Sequence, residues 1–406
     1  MVRSIALAYR EAYGGLSKEV WILSVALLIN RCGSMVLAFL TLYLTQKLNF
    51  TMLEAGGIFS VYGIGSIAGS YLGGRLIKPI GAIRVQIIAL AVSVPLFMLV
   101  PICLTWVSVA ASMFVLSVFV ESVRPANNVA VTQFTKPQLQ TRAFGLQRMA
   151  VNLGCSIGPA VGGVLAQIDF VWIFIVDGIT TGLGAICLFW FFGFQKYSKR
   201  SDAAKLQKQA EQNQSDGSPL RDPQFLFFMF VILLASIVFF QFHATYPKYM
   251  SDQYSLTKPQ IGLLFSVNTA LIVVFEMLLV NFVRRFSLLR TIGWGCMLSC
   301  LGFGILPASQ AAWFAVLAMV VVTIGEMFLF PLATGFAARR SSGRDQGMYM
   351  SWFAMVYSLA SVIAPLAGTA VYEVDPDLFW NASLGVGLFS LIGFYWLANN
   401  VETHGH

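Results

Sequence analysis

Apolar stretches of about 20 residues, each long enough to cross the hydrocarbon core of a bilayer, recur along the chain between short polar segments. They fall at 20–44, 55–77, 83–104, 106–132, 143–166, 170–193, 224–247, 260–283, 291–307, 311–337, 347–371 and 378–398. Lipid offers no partner to a backbone N–H or C=O, so such runs must close their own hydrogen bonds and are read as helices. A membrane β-barrel would alternate polar and apolar positions, and these runs do not. The pattern predicts an all-α membrane protein of twelve transmembrane helices, with six spans on either side of one long polar interruption at 196–222.

The two sides are copies of one unit. From Tyr43 the chain reads YLTQKLNFTMLEAGGIFSV and from Tyr249 it reads YMSDQYSLTKPQIGLLFSV, an offset of 206. The same offset carries Arg84 to Arg290, Pro125 to Pro331, Pro159 to Pro365 and Gly162 to Gly368. A half-length repeat in a membrane chain points to a transporter whose substrate site lies between two pseudo-symmetric six-helix bundles. The expected organisation is an N-terminal bundle at 1–195, a cytoplasmic linker at 196–222, too polar to pack as a core, and a C-terminal bundle at 223–406.

Composition agrees with the pattern: 57% of residues are hydrophobic and 11% charged, against about 25% charged in soluble domains. Mean hydropathy is +0.75. The net charge of +8 is explained by topology rather than by nucleic acid. If both termini are cytoplasmic, three of the 26 Lys and Arg (Lys47, Lys248, Lys258) face outward and two (Arg31, Arg124) lie in spans, leaving 21 in or beside cytoplasmic segments. The first fifteen residues contain Arg3, Arg10 and Glu11 and no apolar core, so no signal peptide is expected there. The six cysteines lie in or at the ends of spans; Cys296 and Cys300 share a helical face, but no His or carboxylate stands near to complete a metal site. No phosphate-binding Gly-Lys-Ser/Thr loop and no catalytic triad is present, so ATP-driven transport and enzymatic chemistry have no machinery here, and no metal or cofactor is called for.

The strongest local motif is Gly154-Cys-Ser-Ile-Gly158-Pro159-Ala-Val-Gly162-Gly163 in the fifth span. Glycines four apart let a neighbouring helix approach closely, and Pro159 removes a backbone donor and permits a bend. A large side chain at Gly158 is accordingly expected to push that neighbour away and block conformational cycling. The string GxxxGPxxGG resembles the fifth-helix motif of drug:proton antiporters in the major facilitator superfamily. A second resemblance lies between spans 2 and 3, where Gly74, Leu76, Gly81 and Arg84 match the superfamily signature Gly-x-Leu-x-Asp-Arg-x-Gly-x-x-Arg. The signature's Asp and Arg are here Lys78 and Pro79. In the family that aspartate is thought to latch the halves together on the cytoplasmic side, so this gate must close with other residues.

Seven ionisable residues stand against the apolar background of the spans: Arg31, Glu121, Arg124, Asp177, His243, Glu276 and Glu326. A charge in mid-membrane costs at least about 2.5–3.5 kcal/mol, so each should face protein or water. Glu121 and Arg124, three apart on one face, can neutralise each other or serve substrate or proton. His243, near the outer end of span 7, reads as a solvated mouth residue ahead of a proton relay. Asp177, about two turns from the outer surface, either caps an extracellular network or titrates. Glu276 is expected to be less central. Glu326 is the leading proton carrier, standing mid-span shortly before Pro331 in a helix that the resemblance implies lines the cavity; a static salt bridge to Arg31 or Arg124 is its alternative.

The resemblance and the residues together imply a proton-coupled secondary transporter in the cell inner membrane, functional as a monomer. It would export small amphipathic or drug-like compounds, or a secreted metabolite such as a siderophore, by alternating access. Proton-coupled import is the alternative, because Asn30-Arg31 is similar to part of the peptide:proton symporter signature, although Leu27 and Asn30 occupy its acidic positions. A membrane sensor that does not transport is a third reading.

Overall fold

A computed structural model of the protein describes residues 15–136, 139–193, 219–283, 285–340 and 346–402. Among the described residues the secondary structure is helical, with no β-strand. Most predicted span ends fall within a few residues of the observed ones: Ala82–Leu99, Trp106–Gln133, Gln140–Ile168, Val171–Phe192, Lys258–Val283, Leu288–Gly304, Ala312–Arg340, Gln346–Val374 and Leu378–Glu402 are spans 3 to 6 and 8 to 12. Their starts follow local capping chemistry. The Thr105 hydroxyl accepts from the Ser108 N–H in a reciprocal capping box, and Asp222 caps span 7 through the Phe225 N–H.

Among the described residues, eleven spans are long and apolar enough to cross a membrane. Span 2, Met52–Ile80, is less apolar because of its glycines and serines, but at 29 residues it has the length to cross. It begins with a capping box between Thr51 and Glu54. Its far end corrects one expectation: the segment read as a loop between spans 2 and 3 is helical through Pro79 to Ile80, and the turn is Gly81 alone. Gly81 has φ +96°, a conformation that side chains rarely adopt. Gly81→Ala should therefore lower stability by about 1–3 kcal/mol, read as a lower unfolding temperature of the purified protein. An unchanged temperature would show that the turn relaxes at no cost.

Two spans predicted as continuous are broken. Span 1 runs Lys18–Cys32, turns at Gly33–Met35 and resumes as Val36–Leu42, ending in a π-turn at Tyr43–Lys47. Span 7 runs Pro223–Phe239 and Phe240–Phe242, breaks at His243–Thr245 and resumes as Tyr246–Asp252. The backbone groups released at such breaks need partners from other helices. The Asp177 carboxylate of span 6 accepts from the N–H groups of Val36 and Met35. At the second break Gln241 donates to the Ala364 carbonyl of span 11 and accepts from the Thr245 hydroxyl.

The helix neighbours repeat between halves. Spans 2 and 4, 3 and 6, 1 and 5, and 1 and 6 pack together, as do 8 and 10, 9 and 12, 7 and 11, and 7 and 12. Between halves span 5 packs on span 8 and span 2 on span 11, two contacts that exchange under the same pseudo-symmetry. The chain is thus two six-helix bundles joined along two seams, with both ends of the twelve spans on one side of the molecule.

Each bundle is tied at this terminal side by its own polar hub. Gln147 links spans 1, 4 and 5 by donating to Ser24 Oγ (2.8 Å) and accepting from Asn127 Nδ2 (3.1 Å). Asp222 links spans 7, 10 and 11 through Arg340 Nε (2.8 Å) and the Tyr349 hydroxyl (3.2 Å). Asp222 was read as the end of the polar linker, yet it and Pro219 are buried. Residues 196–218 of that linker lie outside the described residues.

Candidate functional site

Three hydrophobic cores show where the bundles meet. On the terminal side one core draws only on the first half (Val20, Leu90, Val131, Leu188) and another only on the second (Phe228, Ile292, Phe336, Phe394). On the far side a single core joins both, including Phe39, Phe59, Phe174, Tyr246, Phe265 and Phe303. The halves therefore share one core on the far side and keep separate cores on the terminal side.

Most cross-bundle contacts lie on the far side, although Arg148 of span 5 and Glu276 of span 8 also pair across the seam on the terminal half. At the far side Thr41 donates to the Ala244 carbonyl and Gln46 to Ser251. Lys258 donates to the Ala166 carbonyl at the end of span 5 (3.0 Å) and lies 3.9 Å above the Phe170 ring. On the other seam Glu373, at the end of span 11, accepts from the Leu53 N–H in the first turn of span 2 (2.8 Å). Each charge meets the helix end of opposite partial charge. Beside Lys258, Lys47 pairs with Asp169 at 2.6 Å, and this bond holds the exposed Asp169 carboxyl below its ordinary value.

Along the seam between spans 5 and 8 the glycine motif divides into two functions. A Cβ on Gly154 or Gly162 would lie 2.5 Å from Arg31 Cβ or Met35 Cβ, and one on Gly158 would lie 3.1 Å from the Cys32 carbonyl. These three positions seat span 5 on the broken span 1 of its own bundle. Gly163 faces the other bundle, where a Cβ would lie 2.5 Å from the Lys258 carbonyl. Gly262 of span 8 replies, with its Cβ position 2.1 Å from the carbonyl of Pro159. Gly158 thus has its close neighbour within its own bundle, and the contact between bundles is made by Gly163.

Between the bundles lies a cavity of about 290 Å³. Five of the seven ionisable residues singled out from sequence line it: Arg31, Glu121, Asp177, His243 and Glu326. Arg124 and Glu276 do not line it. Arg124 pairs with Glu121 at 3.2 Å and is itself largely exposed. Glu276 reaches across the seam to pair with Arg148 of span 5. It was expected to be peripheral, and its position in a contact between bundles reflects span 8 packing on span 5.

His243 also departs from its expected place. Breaking span 7 turns its ring from the mouth into the cavity, stacked on Phe265 at 5.8 Å with 5° between planes. Asp177 is occupied by the backbone of span 1, an internal cap rather than an extracellular one. Glu326 makes no ion pair with Arg31 or Arg124; its carboxylate accepts from Asn268 Nδ2 at 2.9 Å, and Asn268 also donates to Thr323 Oγ1 at 3.0 Å. The remaining wall mixes neutral polar side chains (Asn30, Asn152, Thr181, Thr269) with an apolar part, Phe97, Met113 and Leu116 from one bundle and Phe239, Phe265 and Ile272 from the other.

The turn residues Gly74, Lys78, Gly81 and Arg84 lie on the terminal side, remote from this cavity; Gly74, Lys78 and Arg84 are exposed. Of the two second-half arginines at the matching turn, Arg285 stacks on Phe282 and Phe286, and Arg284 lies outside the described residues. Sequence reasoning missed Arg148 and Asn268. Arg148 sits within the predicted span at 143–166 and met the same criterion as the other seven, whereas a neutral amide such as Asn268 carries no charge to mark it. Among the described residues no three His, Cys, Asp or Glu side chains gather as metal ligands.

The family model described as Major Facilitator Superfamily matches residues 23–257 and 242–405. The chain is 23% identical over 403 residues to the uncharacterized MFS-type transporter YqjV of Bacillus subtilis (strain 168), covering 95% of each. It is 20% identical over 271 residues to Multidrug resistance protein 1 of the same organism, covering 66% of this chain and 68% of the relative. In fold it is similar to a crystal structure of the peptide transporter POT in complex with sulfate, with TM-score 0.78, 14% identity and coverage of 97% and 96%.

Proposed function

Because the chain belongs to the major facilitator superfamily, a family of membrane transporters, we propose that it is a proton-coupled exporter of small amphipathic compounds that works by alternating access. The observation that carries this reading is the cavity at the seam of two bundles that share a core on one side only, with five ionisable groups gathered inside it. Two rigid bundles joined through such a seam can rock about it and expose the same cavity to either side. The excess of Lys and Arg on the terminal side supports a cytoplasmic location for both termini in the inner membrane. In that orientation the conformation described is inward-open.

Glu326 is the proposed proton carrier. A carboxylate in an apolar span bears its charge only at the expense of its hydration, and its one hydrogen-bond partner, Asn268, is neutral. Taking up a proton removes that expense, so the occupancy of Glu326 can be tied to which side the cavity faces. Export is supported by the fifth-span glycine motif and by the similarity to Multidrug resistance protein 1. The test is a proteoliposome assay with an imposed pH gradient and a panel of amphipathic dyes and drug-like compounds, reading internal pH and compound together. Opposed movement of proton and compound is expected; movement in one direction would replace export by import, and no coupled movement would remove the proposal.

Closure of the far side is assigned to the charge-to-helix-end contacts of Lys258 and Glu373. Converting both to alanine should favour the outward-open state. Nitroxide labels at the exposed rim positions Ile168 and Val374 report this by pulsed EPR. A longer-distance population should grow in the double variant; an unchanged distribution would show that the merged apolar core alone keeps this side shut.

A further inference from the structure

The polar groups in the cavity do not balance. Each of the three acids has an internal partner: Asp177 the N–H groups of Val36 and Met35, Glu121 the Arg124 guanidinium, and Glu326 the Asn268 amide. Two nitrogen-bearing side chains do not. Arg31 makes no ion pair among the described residues, and its buried Nε has no hydrogen-bond partner. His243 Nδ1 is likewise buried and unpartnered. Both stand at helix breaks, Arg31 just before that of span 1 and His243 at that of span 7, and both line the one cavity. The two helix breaks thus bring one unsatisfied nitrogen group from each bundle to the same space.

An unpaired guanidinium within the membrane is expensive, and buried donors of this kind are ordinarily satisfied. Its complement is an anion with planar acceptor geometry, which a guanidinium holds through parallel N–H···O bonds. The imidazole adds a donor from the opposite bundle when its Nδ1 is protonated. Resting on the transport reading, we infer that the cavity binds the acidic head of an amphipathic organic acid between Arg31 and His243, with the apolar body against Phe97, Met113, Phe239 and Phe265. The volume of about 290 Å³ suits such a small molecule. A ligand that touches both bundles would also report to each whether the cavity is filled.

The test compares dansyl-leucine, an amphipathic carboxylate, with the neutral dansyl-leucine amide and the cation ethidium, using the purified full chain. Dansyl-leucine should raise the unfolding temperature more than the other two, and its apparent affinity should fall about tenfold or more in Arg31→Gln, the loss expected for a charge-assisted hydrogen bond. Arg31→Lys should retain part of the binding, and His243→Ala should weaken it. The comparison of the three ligands on the unaltered protein stands even if a variant fails to fold. Equal stabilisation by the amide or by ethidium, no stabilisation by the carboxylate, or undiminished carboxylate binding in a folded Arg31→Gln protein would overturn the inference. Uptake assays separate the two levels: gradient-driven movement of ethidium or the amide without preference for the acid overturns the anion site and leaves transport standing. Carboxylate binding that depends on Arg31, with no compound moved, overturns the transport reading and leaves the site.

Discussion

Glu326→Gln is expected to abolish compound movement driven by an imposed pH gradient while leaving compound exchange at equal pH largely intact. The substitution keeps the size of the side chain and an oxygen to accept from Asn268 Nδ2, so the wall of the cavity is preserved. What disappears is the ability to alternate between a charged and a neutral form. A coupled transporter needs that alternation to link its return step to the gradient; exchange needs only repeated opening with the cavity filled. The variant should therefore reduce gradient-driven transport to the level of protein-free liposomes. Wild-type pH-driven transport by the variant would remove Glu326 from the coupling role and direct attention to Glu121 or to the Glu276–Arg148 pair.

The second large effect is expected from Gly163→Ala. Its new Cβ would lie 2.5 Å from the Lys258 carbonyl and 2.8 Å from Pro259 Cα, and both obstacles are backbone rather than the mobile tip of a side chain. This contact exists only while the far side is closed, so the clash of about 1–3 kcal/mol falls on one state. The inward-open to outward-open ratio should shift by roughly fivefold to a hundredfold toward outward-open. Gly158→Ala is the control, since its neighbour, the Cys32 carbonyl, belongs to the same bundle and moves with it. Rim distances measured between labels at Ile168 and Val374 should lengthen for the first variant and not for the second. Equal distributions in both would mean that the seam accommodates a methyl group without opening.

Much of this architecture is legible in the amino-acid sequence because the membrane makes the signal coarse. A run of twenty apolar residues has few structural fates in lipid, and a half-length repeat fixes how the runs are grouped. The ionisable residues of the cavity are legible for the same reason: Arg31 and Glu326 stand out where charge is costly. The breaks in spans 1 and 7 are not legible. Gly33–Met35 and His243–Thr245 contain no proline, and neither the polar Asn30-Arg31 before the first nor Pro247 after the second fixes where a span breaks. What permits those breaks is a carboxylate from span 6 and the Gln241 contact with span 11, tertiary partners that no local window contains.

That omission explains why His243 was read as a mouth residue and why Asp177 was left between capping an outer network and titrating. Each assignment follows from treating its surroundings as straight helices. Glu276 was misjudged for a related reason, because its role depends on Arg148 in a distant part of the chain meeting it across the seam. The motif between spans 2 and 3 was read as a loop, whereas Gly81 supplies the whole turn through its positive φ. The division of the glycine motif was hidden as well, since spacing indicates close approach without saying which helix approaches.

The central claim is that one cavity is exposed alternately to the two sides of the membrane. Cys155 lines that cavity, so a protein retaining it as the sole cysteine can be labelled by a membrane-impermeant thiol reagent applied to either side. The resting protein should label from the terminal side, as the separated cores there require, and Gly163→Ala should transfer labelling to the far side with a matching loss from the first. Labelling confined to the terminal side in both proteins, or simultaneous labelling from both sides without exchange between them, would contradict the account.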